Sequence, residues 1–240
     1  MREAGQAGWE GIPDYGLDWL DASGSDSGIV LSTRVRLARN LQGHAFGRRG
    51  RTNDRLAVLD QVRGAIEAVP DLKGADVQEV GALPERLRQI LLERRLASRD
   101  LIGKGDSEPR RGAAIVLPPS ESLSIMVNEE DHLRLQRVVS GLDLRSAWDS
   151  LDRIDESLGQ ALPYAFHHEF GFLTSCPTNV GTGLRASVLV HLPGLVLTKE
   201  IGKVLQGLSQ VGLTFRGLYG EGSEVVGNFF QISNQTTLGK

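Results

Sequence analysis

The chain has 240 residues, 40% hydrophobic and 24% charged, with a net charge of −3, which suits a folded chain with a real core and excludes a disordered one. The slight acidity removes the bulk pull on which generic nucleic-acid binding relies, so no direct nucleic-acid partner is expected. No apolar run approaches the ~20 residues of a membrane span, and Met1–Glu10 lacks an apolar signal region, so no membrane partner and a cytoplasmic location are expected.

Residues 1–27 are rich in Gly, Ser and Asp and read as a flexible N-terminal arm, leaving 28–240 as one domain. In Leu31-Ser32-Thr33-Arg34-Val35-Arg36 the two arginines are two apart in an extended segment and project from one face. Like charges so placed repel unless an anion lies between them. Leu56, Leu59, Val62, Ile66 and Val69 step by three or four and predict a helix over Asn53–Val69, stopped by Pro70. A second helix is expected over Pro84–Ala97, and Gly103–Arg111 reads as a surface loop. Ala113–Leu117 and Leu123–Asn128 flank the turn residues Pro118-Pro119-Ser120-Glu121 and predict a hairpin.

Leu133 and Leu135 alternate with Arg134 and Gln136, which places Arg134 opposite the leucines. Trp148, Leu151, Ile154, Leu158 and Ala161 predict a long helix ended by Pro163. From Leu184 to Leu192 the alternation is strict and sets Arg185 on the less apolar face of a strand. A helix over Thr198–Gly212 and short strands over Leu213–Leu218 and Asn228–Ile232 follow, and Ser233-Asn234 reads as a turn into a further helix. Without regular strand-helix alternation the fold class is α+β, a mainly antiparallel β-sheet flanked by helices.

Of the 27 basic residues 22 are arginines, a bias that a GC-rich genome alone produces and that also suits a site needing rigid forks for phosphate oxygens. Taken singly, Arg34, Arg36, Arg134, Arg185 and Arg216 read as surface arginines. Glu129-Glu130-Asp131 and Glu221 with Glu224 read as solvated acids near loops, or as carboxylates that hold a cation or accept a proton. Cys176, the one cysteine, reads as a small buried residue or an activated thiol. The glycine turns near Cys176 and at Gly220 fit no phosphate-loop pattern. His167-His168-Glu169 lacks metal-ligand spacing, so no metal site is expected.

Read together, these segments resemble the ordered blocks of the guanidino (phosphagen) kinases. They are Ser32-Thr33-Arg34-Val35-Arg36, Asn128-Glu129-Glu130-Asp131-His132-Leu133-Arg134, Leu173 to Ser187, Arg216-Gly217-Leu218-Tyr219-Gly220-Glu221 and Ile232-Ser233-Asn234. Within that superfamily Leu173–Pro193 and Tyr219–Gly239 are similar to the bacterial protein arginine kinases. The 31 residues before Ser32 leave no room for the helical domain that lids small guanidino substrates in the creatine and free-arginine kinases. The resemblance implies the phosphagen kinase catalytic fold, with its glutamine synthetase-like core, and transfer of the γ-phosphoryl of Mg-ATP to arginine on proteins.

By the same resemblance, ATP and Mg²⁺ are the cofactors. The nucleotide site comprises Ser32, Thr33, Arg34, Val35, Arg36, Arg95, Arg134, Arg185, Ala186, Ser187, Val188, Leu189, Arg216, Gly217, Leu218, Tyr219, Gly220 and Glu221. Glu130 and Glu221 align the guanidinium and accept its proton, with Cys176 beside it as a thiolate. Arg95 stands where the family commonly has a histidine. The implied partners are arginine-bearing protein substrates (repressors or misfolded proteins), an activator protein, a Clp-type chaperone-protease and a second copy in a homodimer. The helical regulatory domain that normally follows is not in the sequence. A non-catalytic ATP-binding adaptor and a kinase of free arginine or other small guanidines are the alternative readings.

Overall fold

In a computed structural model of the chain, which describes residues 17–103, 108–118, 122–217 and 227–237, the residues Val30–Arg39 form β1. The other strands are β2 (Asp76–Glu79), β3 (Ala114–Leu117), β4 (Leu123–Val127), β5 (Leu133–Ser140), β6 (Phe166–His167), β7 (Gly171–Phe172), β8 (Leu184–His191), β9 (Leu213–Arg216) and β10 (Phe229–Asn234). The helices are α1 (Thr52–Ala68), α2 (Glu85–Glu93), α3 (Arg99–Ile102), α4 (Leu144–Ala161), α5 (Pro193–Leu197) and α6 (Ile201–Gln210). Eight strands make one sheet in the order β2-β3-β4-β5-β1-β8-β10-β9, with every neighbouring pair antiparallel. β6 and β7 form a separate hairpin. This is the α+β, antiparallel architecture expected.

Strand alternation decides which face each residue serves. Val35 and Leu37 of β1, Leu133 and Leu135 of β5, and Leu123, Ile125 and Val127 of β4 meet the apolar stripes of α1 (Val58, Leu59, Val62, Ile66) and α4 (Ala147, Leu151, Ile154, Leu158). At ~1.5–3 kcal/mol for each large side chain fully buried, this layer is the main source of stability. β3 and β4 are covered on both sides, since Ile115, Leu117 and Met126 pack under Leu91, Leu96 and Leu101. That double burial is why Ala113–Leu117 is an unbroken apolar run. Leu205 of α6 covers Val190 and Phe230.

Several boundaries differ from the sequence reading. The second helix stops at Glu93, because Arg95 turns into the left-handed region at φ 63° and sends the chain on to α3. The expected helix over Thr198–Gly212 is α6, which starts only at Ile201; Lys199, at φ 62°, separates it from the short α5, which was not anticipated. Ser233-Asn234 is not a turn into a helix but the end of β10, where the Asn234 side chain accepts from Ala186 N–H at 2.9 Å and donates to Leu184 O at 3.0 Å. The edge strand β2 was not anticipated; its half-buried Asp-Val-Gln-Glu carries too weak an alternation. The end of the expected loose arm is docked: Trp19 is buried against Val138 and Leu189, and Leu142 N–H donates to Ser25 O at 2.7 Å. Pro119-Ser120-Glu121, Leu218 to Glu221 and Glu224 lie outside the described residues. No helix among the described residues is long and apolar enough to cross a membrane.

Candidate active site

The face of the sheet turned away from α1 and α4 carries the polar residues. On β1 it presents Ser32, Arg34 and Arg36; on β5, where Gln136 stands opposite Arg36, it presents Arg134 and Gln136. On the other flank Arg185 of β8 is the partner of Arg36, and Ser187 the partner of Arg34. Gln231 of β10 pairs with Arg216 of β9. The result is a cavity of about 420 Å³ lined by Arg34, Arg36, Arg95, Arg134, Arg185 and Arg216, with Glu130 and Cys176 also in its wall.

The arginines are held by few negative groups. Arg34 Nη2 and Arg95 Nη2 donate to the same oxygen, Gln231 Oε1, at 2.8 and 3.0 Å, and Arg95 Nη1 donates to Ser32 Oγ at 2.7 Å. Arg95 also lies over the Trp19 ring, 5.6 Å from its centroid. The Nε atoms of Arg34 and Arg36 are buried without a hydrogen-bond partner. Burial first, then repulsion from Arg36, Arg95, Arg134 and Arg185, pushes Arg34 well below the usual arginine range. Arg36 is lowered in the same way by burial and by Arg134, Arg185 and Arg95, with Glu129 opposing. Burial brings Arg95 down to about 10. A guanidinium keeps its proton in proteins, so these shifts mark positive charge that lacks a counter-ion. A multiply charged anion in the cavity supplies one.

The acidic side is built differently. Glu129 has a fully buried side chain, ion-paired with Arg134 Nη1 at 2.6 Å. It also accepts from Ser98 Oγ, and its Oε2 accepts from Glu130 N–H at 2.7 Å. Glu130 stays at the rim with 44% of its side chain exposed, 3.2 Å from Arg134 Nη2. Burial raises its carboxyl, Arg134 opposes, and Asp131, Glu129 and Asp100 raise it further. Asp131 Oδ1 accepts from Asn40 Nδ2 at 2.7 Å and from Ser175 N–H at 2.6 Å, while Ser175 Oγ donates to Glu130 O at 2.9 Å. These bonds tie the loop of Cys176 to the loop of Glu130. The half-buried Cys176 has Sγ 3.1 Å from Thr178 Oγ1. His132 Nδ1 accepts from Leu41 N–H at 2.9 Å, which fixes its proton on Nε2, pointed at Ala45 O at 3.1 Å.

Other residues expected at the nucleotide site lie elsewhere. Thr33 Oγ1 is buried on the opposite face, donating to Gly141 O at 2.7 Å and accepting from Asp143 N–H at 3.1 Å. The side chains of Val35 and Ala186 belong to the α1/α4 core, and that of Val188 to the α6 cluster. Leu189 shares the cavity's face of the sheet but packs on Trp19. Ser187 is on that face too, with Oγ 3.4 Å from Arg34 O. Gly217 follows β9, and Leu218, Tyr219, Gly220 and Glu221 are outside the described residues. Gln231, Gln136 and Ser98 were not anticipated, and Glu129 was read only as one acid of three. The alternation Phe230-Gln231-Ile232 was the available signal for Gln231. Among the described residues no group of three or more His, Cys, Asp or Glu is placed to hold a metal.

The family model described as ATP:guanido phosphotransferase, C-terminal catalytic domain, matches residues 57–240. The chain belongs to this family. This ATP:guanido phosphotransferase chain is 49% identical over 225 residues to a protein of Pelotomaculum thermopropionicum named protein-arginine kinase, covering 92% of this chain and 62% of that one. It is 44% identical over 224 residues to the protein-arginine kinase of Clostridium novyi, covering 93% and 64%. It thus spans a little under two thirds of the length of these curated relatives. Among solved structures, taurocyamine kinase from Schistosoma mansoni with bound transition-state analogue components superposes with a TM-score of 0.76 at 26% identity, covering 88% of this guanido phosphotransferase chain and 30% of that one. Lombricine kinase, at 24% identity, shares the fold, with a TM-score of 0.74 over 95% of this chain and 66% of that one.

Proposed function

We propose that this chain transfers the γ-phosphoryl group of ATP to the guanidinium of arginine side chains in proteins, giving phosphoarginine, and that 28–240 form its catalytic domain. The observation that carries the proposal is the cavity itself: seven arginines, Arg99 among them, share its wall with Glu130 and Cys176, and the Nε atoms of Arg34 and Arg36 are buried without a hydrogen-bond partner. A triphosphate fits that donor set, because guanidinium forks match phosphate oxygens and phosphoryl transfer is mostly positioning and charge stabilisation. Arg34, Arg36, Arg134, Arg185 and Arg216 hold the phosphates, and Arg95, tied to Ser32 and Gln231, stiffens the wall beside them. Mg²⁺, bound through the nucleotide, neutralises phosphate charge; the described residues form no cage of their own for it.

Glu130 is suited to the acceptor side. Its raised carboxyl brings it toward the working pH, where it orients the incoming guanidinium and takes a proton from the attacking nitrogen. An arginine is a poor nucleophile until that proton leaves. Glu129 positions Glu130 through its backbone N–H, and Cys176 faces the same guanidinium from the opposite loop. Glu221 is assigned the second carboxylate on the family resemblance. The names of the relatives support proteins as the substrate class; an activator protein, a Clp-type chaperone-protease, a homodimer and a cytoplasmic location belong to the same reading.

The test is mass spectrometry, under non-acidic handling that preserves the N–P bond, of a casein-like protein incubated with the chain and Mg-ATP, beside a Glu130→Gln control. Phosphoarginine formed by the wild type and lost in the control is the expected result. Phosphorylation of free arginine alone overturns the protein-substrate reading, and nucleotide binding without any transfer overturns the enzyme reading.

A further inference from the structure

A second set of arginines lies outside the cavity. Arg49 and Arg51 flank Gly50 at the start of α1, Arg55 follows one turn into the helix, and Arg110 and Arg111 approach from the segment before β3. They form one cluster: Arg55 Nε donates to Arg111 O at 2.9 Å, its Nη1 to Gly50 O at 2.8 Å and its Nη2 to Thr52 Oγ1 at 3.1 Å. Arg49, Arg51 and Arg111 are exposed, and Arg55 and Arg110 half-buried.

None of the five is ion-paired with a carboxylate among the described residues. The nearby acids are engaged otherwise: Asp54 Oδ2 accepts from the backbone N–H of Arg51 at 2.8 Å, and Glu108 reaches Arg88 at 3.4 Å. The positive end of the α1 dipole, where carboxylates are favoured, thus carries arginines beside the one carboxylate of its first turn, Asp54. In a chain of net charge −3 this is a local concentration of positive charge with no ion-pair partner among the described residues.

The cluster is continuous with the active-site rim. Gly47, two residues before Arg49, lies so close to the neighbouring loop that a Cβ on it would stand 2.9 Å from Ser175 Oγ and 3.2 Å from Glu130 O. From the other side, Arg110 Nη1 donates to Glu129 O at 3.3 Å.

We propose that Arg49, Arg51, Arg55, Arg110 and Arg111 form a docking surface for an acidic segment of the protein substrate, adjoining the arginine that is phosphorylated. The proposal rests on the function assigned above and narrows its substrate class. Arginine forks match carboxylates two bonds at a time, and a field of one sign beside a site speeds encounter with oppositely charged partners. An extended chain covers at most ~3.3–3.6 Å per residue, so the step from Gly47 to Arg51 places the acids within about four residues of the target arginine.

The experiment compares two otherwise identical peptides, each with one arginine followed by either three Glu or three Gln. Phosphoarginine formation and, independently, peptide binding by fluorescence anisotropy are measured for the wild type and for the exposed-surface variant Arg49→Gln/Arg51→Gln/Arg111→Gln. The expected result is a kcat/KM and a binding affinity about tenfold in favour of the Glu peptide at low salt, shrinking as salt shortens the Debye length below ~10 Å. The variant removes that preference while its rate on the Gln peptide stays within about twofold of wild type. Equal binding of the two peptides to the wild type, or an undiminished preference in the variant, overturns the proposal. Tighter binding of a single-stranded oligonucleotide than of the Glu peptide overturns it in favour of a nucleic-acid surface. If neither peptide is phosphorylated, the anisotropy comparison still decides the docking surface, and only the catalytic reading falls.

Discussion

Arg39 and Asp155 meet as a guanidinium fork on a carboxylate, with Nε 3.1 Å from both oxygens and Nη2 2.6 Å from Oδ2, and with only 3% and 9% of the two side chains exposed. The pair joins β1 to α4. Arg39 Nη1 donates to Ala38 O and Thr182 O at 2.9 Å, and the guanidinium lies 3.6 Å from the centre of the Phe172 ring. Gly183, at φ 65°, belongs to the same knot, since a Cβ there would fall 2.6 Å from both Ala38 O and Arg39 Nη1. The segments leading into Cys176 and Arg185 are therefore anchored by one buried cation.

Removing Asp155 strands that cation. Asp155→Ala is expected to cost ~3–5 kcal/mol, because the remaining buried charge has no counter-ion. Denaturant unfolding followed by circular dichroism checks it; a loss below about 1 kcal/mol would show that water reaches Arg39.

Gln231 is neutral where Arg34 and Arg95 converge, and its charge state is expected to set a balance between resting stability and anion binding. Gln231→Glu supplies an internal counter-ion, so the free protein melts higher and inorganic tripolyphosphate binds about tenfold or more weakly. Thermal melts with and without tripolyphosphate read both effects. The wild type gains about 2.7 kcal/mol at a hundred times the Kd, and the variant, at the same concentration, gains less.

Glu130 predicts the acid limb of the reaction. Its carboxyl is raised above the ordinary 4.5 by burial, more than Arg134 lowers it. The ionised form accepts the proton, so kcat falls as pH drops through that raised value and recovers above it. Glu130→Gln is expected to lower kcat by ~10²–10⁴ while the nucleotide Kd stays within a few-fold. A profile of the same shape in the variant assigns the limb to another group.

His132 predicts a pH dependence of stability rather than of rate. Burial lowers it from the ordinary 6.5, with Asp131 and Asp54 only partly opposing, and its Nδ1 must stay unprotonated to accept from Leu41 N–H. A histidine lowered on folding contributes stability that is present above its unfolded value and lost as pH falls below it. Melting temperature should therefore drop between about pH 7 and pH 5, and His132→Gln should flatten that slope while lowering the plateau.

The fold class was legible because it rests on period: Leu133 and Leu135 against Arg134, and Leu184 to Leu192, announce strands with one polar face. The grouping of Arg34, Arg36, Arg134, Arg185 and Arg216 was legible only as a resemblance between blocks; no local pattern says that strands so far apart in sequence lie side by side. Contiguous blocks also overreached. A strand shows alternate residues to opposite faces, so Thr33, Val35 and Ala186 turn away from the cavity that Arg34 and Arg185 enter. Gln231 escaped notice because its role is defined by long-range partners, Arg34 and Arg95, rather than by neighbours in sequence; Arg95 was expected at the nucleotide site by resemblance alone, with no local signal for its left-handed turn or its bond to Ser32.

The placement of β1 between β5 and β8 sets a timetable for the ribosome. Gln231, which accepts from Arg34, is made 197 residues after it; at ~5–20 residues per second the arginines of β1 wait roughly 10–40 s for that partner. Until β8 and β10 emerge, one side of β1 is an open edge and its arginines face solvent with the cavity unbuilt. The early half of the sheet, through β5 and α4, has the local partners to settle first, and the arginine-lined cavity, which needs β8 and β10, forms only after it.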